Sequence, residues 1–217
     1  MKNEVQQQLE AAGLIPVLRA RSDSEALALV EAMAAGGVTV IEVTMTVPGA
    51  IEVLRKLKQS YGNKLLLGSG TVTDAAQCAA TIEAGANFVV SPSMHLDVIA
   101  KTKQMGKVSI PGALTPTEVI TAWNAGADFV KIFPCSAVGG ASYLKALKAP
   151  FPHVRLIPTG GITLQNAGAF FQAGASAIGV GADLVNAAAL AQGKPELITN
   201  AARAYLEVVA QARSAAA

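Results

Sequence analysis

A lysine stands in the middle of an apolar run, at Lys131 in Asp128-Phe129-Val130-Lys131-Ile132-Phe133-Pro134. A run of this composition belongs in a core, where a charged ammonium is costly unless it is paired or neutralised. Burial favours the uncharged amine, and an uncharged amine is what attacks a ketone to form a Schiff base. A carboxylate occupies a similar setting in Ile41-Glu42-Val43-Thr44. If both side chains face inward, Glu42 could shuttle protons beside an amine nucleophile. Two structural alternatives stand beside this reading. Lys131 could snorkel to a strand end, or the two residues could form a buried ion pair with no chemistry.

Further polar groups cluster where apolar runs end. Arg19 closes the first run, and Thr44 shares a face with Glu42 because side chains two apart on a strand point the same way. Phe133 shares a face with Lys131 by the same rule, and Arg19, Thr44 and Phe133 are candidate substrate contacts. Gly68-Ser69-Gly70-Thr71 and Ser91-Pro92 end two other runs. Glycines gather in Pro158-Thr159-Gly160-Gly161-Ile162-Thr163 and in Gly179-Val180-Gly181-Ala182-Asp183. Paired glycines let backbone N–H groups converge on an anion, so these two loops are candidate phosphate-binding segments. A carboxylate is misplaced beside an anion, and Asp183 is expected to turn away.

These residues must be positioned by a repeated element. A helical stretch ends in Ala-Gly or Gly-Gly, and an apolar strand follows at once: Ala35-Gly36-Gly37-Val38, Ala84-Gly85-Ala86-Asn87, Ala125-Gly126-Ala127-Asp128 and Ala173-Gly174-Ala175-Ser176. Glycine just past a helix supplies a left-handed stop, and near-continuous apolar strands suit parallel sheets covered on both faces. Strands are expected at 14–19, 38–45, 65–70, 88–91, 108–111, 129–133, 154–158 and 177–180. Helices are expected at segments such as 24–35, 49–60, 74–84 and 115–125. Capping residues open several of them: Ser22-Asp23-Ser24-Glu25, Thr73-Asp74 and Thr115-Pro116-Thr117-Glu118. Strands alternating with single helices predict right-handed parallel crossovers. Eight of them predict a (β/α)8 TIM barrel, an α/β fold, in a single domain spanning residues 1–217. Residues 3–12 are expected to form a helix capping the barrel bottom. Residues from 195 to about 210 form the closing helix, with the terminal Ser-Ala-Ala-Ala frayed. The competing fold is an open doubly wound sheet, but no glycine-rich dinucleotide turn follows the first strand. In a barrel the strand C-termini carry the site, which is where the residues named above fall.

Composition narrows the function further. The 217 residues are 52% hydrophobic and 15% charged, enough for a large core, and the net charge of +2 comes with no basic stripe, so nucleic acid is not an expected partner. The polar opening Met1-Lys2-Asn3-Glu4 does not read as a secretory signal, and no apolar run reaches the roughly 18 residues needed to span a bilayer. Two cysteines, Cys78 and Cys135, make no disulfide framework, which points to free thiols and a cytoplasmic setting. Cys135 is expected to be a small buried side chain rather than a reactive one. Two histidines, His95 and His153, stand far apart, so no catalytic metal is expected. Trp123, Phe170 and Phe171 fall on helical segments, where packing is the default.

From about Gly13 to Val185 the chain resembles the class I aldolases that cleave 2-keto-3-deoxy-6-phosphogluconate (KDPG) and 4-hydroxy-2-oxoglutarate (KHG). The resemblance rests on Gly36-Gly37 leading to Ile41-Glu42-Val43-Thr44, on Gly70-Thr71-Val72, Ser91-Pro92 and Ile110-Pro111-Gly112, and on Thr115-Pro116-Thr117-Glu118, Phe129-Val130-Lys131-Ile132-Phe133-Pro134 and Pro158-Thr159-Gly160-Gly161. It implies that Lys131 is the Schiff-base lysine and Glu42 the general acid/base. It implies that Thr71 and Pro92 line a pyruvoyl pocket, and that Gly160, Gly161 and Gly181, with Ala182, hold a phosphate. It further implies a phosphorylated 2-keto-3-deoxy sugar acid and pyruvate as ligands, no cofactor, and a homotrimer. Two departures from the family pattern are visible. Thr46 stands where many members carry an arginine, which shifts weight to Arg19, and Ala182 stands where many carry a serine.

Overall fold

The computed structural model describes residues 2–214. Nine parallel strands alternate with ten α-helices: α1 (Lys2–Ala12), β1 (Leu14–Leu18), α2 (Asp23–Ala35), β2 (Val40–Thr44), α3 (Ala50–Tyr61), β3 (Leu66–Gly70), α4 (Ala75–Glu83), β4 (Phe88–Val90), α5 (Leu96–Gln104), β5 (Val108–Ile110), β6 (Gly112–Ala113), α6 (Pro116–Asn124), β7 (Val130–Ile132), α7 (Gly140–Lys148), β8 (Leu156–Pro158), α8 (Ala167–Gln172), β9 (Ile178–Val180), α9 (Ala187–Ala191) and α10 (Pro195–Ser214). A 3-10 turn at Ser136–Val138 precedes α7. All eight expected strands are present. The alanines expected to fray, Ala215–Ala217, lie outside the described residues.

The local signals act as their chemistry requires. Ser22 and Asp74 accept the backbone N–H groups of Glu25 and Gln77, and Thr115 and Glu118 form a reciprocal capping box. Gly37, Gly85, Gly126 and Gly174, just past four helices, adopt φ of 97°, 116°, 96° and 93°, the left-handed stop that the repeat implied.

The strands form two parallel sheets, ordered β5-β4-β3-β2-β1-β9 and β6-β7-β8. Neighbours follow in chain order and the last strand lies beside the first, with none of the order reversal of a doubly wound sheet. One expected strand is divided. Pro111 separates β5, which pairs with β4, from β6, which pairs with β7. Proline has no N–H to give a ladder, so the pairing changes partner there. The sheets touch on both sides: Asp128 and Phe129 N–H donate to Ser109 O, Lys131 N–H donates to Pro111 O, and a bridge joins Thr159 to Gly179.

Alternation divides the apolar residues between two faces. One set, including Leu18, Ile41, Val43, Leu67, Val130 and Ile132, packs under the helices. The other gathers Ile15, Val40, Phe88, Val90, Val108, Ile110, Phe129, Ile157 and Ala177 on the opposite, inner face, with Leu9 of α1 against them. Helix α1 therefore closes the N-terminal ends of the strands. Asp128 fixes it there, accepting from Gln6 Nε2 at 2.6 Å and from Ser109 N–H at 2.9 Å, and pairing with Lys2 Nζ at 2.9 Å. Arg155 lies over the Phe129 ring, 4.5 Å from its centroid, and bonds Gln6.

Candidate active site

The inner face turns polar at the C-terminal ends of the strands. Val40 belongs to the apolar inner layer, so Glu42 and Thr44, two and four residues further along β2, occupy the next layers on the same face. Phe129 places Lys131 and Phe133 likewise. Glu42 and Lys131 are 3% and 5% exposed, and Lys131 Nζ lies 3.7 Å from Glu42 Oε1. That separation is an ion-pair distance but too long for a direct hydrogen bond. Glu42 Oε1 is also a buried oxygen with no hydrogen-bond partner among the described residues. A buried acceptor left unsatisfied is expensive, and here it faces the one amine positioned to react.

Glycine creates the room for this pair. In the ladder Thr44 lies opposite Gly70, and a Cβ at Gly70 would overlap Glu42 Oε1, so only a residue without a side chain lets the carboxylate lie against β3. The next residue, Thr71, holds φ of 60°, the only positive φ outside glycine among the described residues. An uncommon backbone conformation at a strand end beside a buried ion pair marks a functional position. Ser91 N–H donates to Ile110 O, and the Pro92 carbonyl lies against Gly112, which sits opposite Lys131 in the ladder.

Phe133 connects the pair to the glycine loops. Lys131 Nζ lies 5.2 Å from the Phe133 ring centroid, and the Cδ2–Cε2 edge of the ring borders Gly160. The Phe133–Pro134 peptide is cis. Gly160 and Gly161 adopt φ of 93° and 72°, a backbone that glycine takes up without the strain a side chain would bring. The bridge between Thr159 and Gly179 places Gly181-Ala182 next to that loop, and the loop turns back where Leu184 and Val185 N–H donate to Gly181 O. Asp183 is indeed directed elsewhere, accepting from Tyr205 Oη at 2.5 Å and from Leu164 N–H at 3.2 Å. Arg19 is exposed just past β1, and its guanidinium has no ion-pair or hydrogen-bond partner among the described residues.

The structure therefore brings Arg19, Glu42, Thr44, Thr71, Pro92, Lys131, Phe133, Gly160, Gly161, Gly181 and Ala182 to one end of the strands. Sequence reasoning left out Ser136, whose hydroxyl donates to Gly160 O at 2.9 Å. Nothing in the local sequence marks it, because β7–β8 pairing brings the two loops together. Cys135 is buried, its Sγ lies 3.6 Å from Gly140 O, and burial pushes its thiol up to about 11. A thiol of that kind stays protonated and inert. Among the described residues no three His, Cys, Asp or Glu side chains come together as a metal site. No helix among them is long and apolar enough to cross a membrane.

Parallel strands with single-helix crossovers, a buried lysine–carboxylate pair at their C-terminal ends and a glycine-lined loop pair beside it define a class of α/β protein equipped for imine chemistry. A family model for the KDPG and KHG aldolases matches residues 5–201. The chain is 35% identical to the 2-dehydro-3-deoxy-6-phosphogalactonate aldolase of Escherichia coli over 90% of this chain and 96% of that one. It is 34% identical to the 2-dehydro-3-deoxy-phosphogluconate aldolase of Dickeya dadantii, covering 93% and 94%. The solved KDPG aldolase of Legionella pneumophila, holding pyruvate as a covalent carbinolamine intermediate, is 32% identical, with a TM-score of 0.86 and coverage of 93% and 97%. The chain belongs to the KDPG and KHG aldolase family, whose named members are carbon–carbon lyases.

Proposed function

We propose that this protein is a Schiff-base aldolase that cleaves 2-keto-3-deoxy-6-phosphogluconate reversibly to pyruvate and glyceraldehyde 3-phosphate. The observation that carries the reading is the Lys131–Glu42 pair, buried and 3.7 Å apart, with an unsatisfied carboxylate oxygen facing the amine. The carbinolamine in the Legionella relative supports a lysine–pyruvate imine as the route.

In this mechanism the unprotonated Lys131 amine attacks the C2 ketone, and Glu42 moves protons while the carbinolamine loses water to become an iminium. Glu42 then removes the proton of the C4 hydroxyl, directly or through a water. The C4–O bond becomes a carbonyl, the C3–C4 bond breaks, and its electron pair moves into the iminium to give an enamine. Glyceraldehyde 3-phosphate leaves. Protonation of the enamine at C3 and hydrolysis of the imine release pyruvate and the free amine. Backbone N–H groups at Gly70 and Thr71 receive the carboxylate, Pro92 and Phe133 wall the pyruvoyl group, and Gly160, Gly161, Gly181 and Ala182 receive the phosphate. Binding the remote phosphate orients the reacting carbon. Neither a metal nor an organic cofactor takes part.

We infer also that the two sheets make one closed (β/α)8 barrel and the whole chain one domain. The Ser109, Pro111 and Thr159–Gly179 contacts between the sheets support this. A cytoplasmic homotrimer completes the proposal, resting on the family resemblance; light scattering on the purified protein tests the trimer.

Incubation with pyruvate and borohydride, followed by peptide mapping, tests the mechanism. One reduced pyruvoyl adduct on Lys131 is expected, with none in Lys131→Arg, because a guanidinium does not give up its proton. No adduct on the folded protein would overturn the aldolase reading in favour of a catalytically silent binding or assembly module. Relative turnover of the gluconate acid, its galactonate epimer and 4-hydroxy-2-oxoglutarate then tests the substrate; a preference for either of the last two would replace the one proposed.

A further inference from the structure

The loop after β8 is held by its carbonyls. Thr159 O accepts the Cys135 N–H at 2.9 Å, and Gly160 O accepts the Ser136 N–H at 3.2 Å. The Ser136 hydroxyl makes a second bond to the same Gly160 oxygen, at 2.9 Å. Two consecutive carbonyls therefore point at one segment, Cys135-Ser136, where the chain leaves β7. A peptide is planar and trans, so each N–H points opposite to the carbonyl of its own peptide. The Gly160 and Gly161 N–H groups are thereby turned away from Cys135-Ser136 together. Neither has an acceptor among the described residues.

The strands on either side say where they point. β8 pairs with β7 on one side, and the bridge from Thr159 to Gly179 joins it to β9 on the other. Carbonyls committed to the β7 side leave these N–H groups on the β9 side, where Gly181-Ala182 follows the strand. The Gly181 and Ala182 N–H groups also lack an acceptor among the described residues. Unpaired backbone donors of two adjacent loops are what an anion requires.

Ser136 stands behind this arrangement, not in it. Its hydroxyl has a single proton, and a carbonyl only accepts, so that proton goes to Gly160 O and none is left for a ligand. The two segments are closely packed, since a Cβ at Gly161 would overlap the Ser136 hydroxyl.

We propose that Ser136 is a positioning residue for the phosphate of the substrate. By holding Gly160 O it aims the Gly160 and Gly161 N–H groups toward the Gly181-Ala182 loop, and so sets the preference for a phosphorylated aldehyde. This rests on the aldolase reading above and adds to it a residue that acts through the loop without touching the ligand.

The test is aldol addition of pyruvate to D-glyceraldehyde 3-phosphate and to D-glyceraldehyde, which differ only in the phosphate. Ser136 is exposed, so Ser136→Ala leaves no buried cavity. Loss of one neutral hydrogen bond behind the loop is expected to raise KM for glyceraldehyde 3-phosphate about fivefold, with kcat within about twofold of wild type. The inhibition constant of inorganic phosphate rises by a similar factor, while kcat/KM for glyceraldehyde changes less than about twofold. An unchanged KM and phosphate inhibition constant, or equal losses on both aldehydes, the mark of a general structural role, would overturn the proposal. Borohydride trapping of pyruvate on Lys131, measured in the same preparations, separates the two failures. A normal adduct with an unchanged KM removes only the role of Ser136, whereas no adduct in the wild type removes the aldolase reading itself.

Discussion

Replacing Gly70 by alanine tests the geometry of the lysine–carboxylate pair without touching either member. An added Cβ would lie 2.6 Å from Glu42 Cδ and 2.7 Å from Cγ, and would overlap Oε1, where ordinary contact begins at 3.4 Å. Relief requires a displacement of about 1 Å, and Glu42, 3% exposed, has no solvent to swing into. The Gly70 backbone is not left-handed, so the methyl group itself is the whole perturbation. A misplacement of ~1 Å at a reacting group can cost about 10²-fold in rate. Overpacking of this size costs about 1–3 kcal/mol in stability. At ~2–4 °C per kcal/mol for a chain of this length, Tm falls by ~2–12 °C, leaving the protein folded at 25 °C. The expected result in a coupled assay of pyruvate release is a kcat about 100-fold below wild type, with the borohydride-trapped pyruvate adduct still forming on Lys131. Attack on the ketone depends on the amine, and Glu42 only speeds the dehydration that follows, so an adduct trapped over many minutes still accumulates while each turnover, which also needs Glu42 for carbon–carbon cleavage, is slow. A kcat within about threefold of wild type in a folded Gly70→Ala protein would refute the claim that contact with β3 sets the position of Glu42.

Three other outcomes are expected. Asp128→Asn removes the charge that holds Lys2 and Gln6 of α1; hydrogen bonds to a charged group are worth about 1.5–3 kcal/mol, so Tm should drop by several degrees while kcat stays within about twofold, and an unchanged Tm would mean that α1 is held by Leu9 packing alone. Burial, and for Tyr205 the Asp183 carboxylate, raises Tyr61, Tyr143, Tyr205, Cys78 and Cys135 above their ordinary 10.0 and 9.0, while burial lowers Lys148 and Arg213 in opposition. Raised acids contribute stability that is full below about pH 8 and is lost as the unfolded chain ionises first, so Tm should decline from pH 8 to 11.5, less steeply in Tyr205→Phe; an equal slope in that variant would exclude Tyr205 as the main source. Neither cysteine should react with iodoacetamide in the native protein at pH 8, and both should react in denaturant; rapid native alkylation of Cys135 would contradict its burial.

The family-model match agrees with what the motifs implied, and the reason is that the informative residues are local. Lys131 inside an apolar run, the Thr115–Glu118 capping box and the glycines that stop α2, α4, α6 and α8 each act over a few residues, so their order in the chain already specifies alternating strands and helices. Period-two alternation then sends Glu42, Thr44, Lys131 and Phe133 to the same inner face. Distances between distant segments are another matter. The sequence alone could not say that Glu42 and Lys131 come within 3.7 Å, nor that a bare Gly70 Cα is what admits the carboxylate. The Pro111 break was visible as a residue, but the change of partner from β4 to β7 depends on which strands lie on either side. The same holds for Ser136 against Gly160. Propensity and periodicity are properties of neighbouring residues and can be read along the chain. Proximity across strands, and the hydrogen-bond donors it consumes, exists only once the sheets have brought those neighbours together.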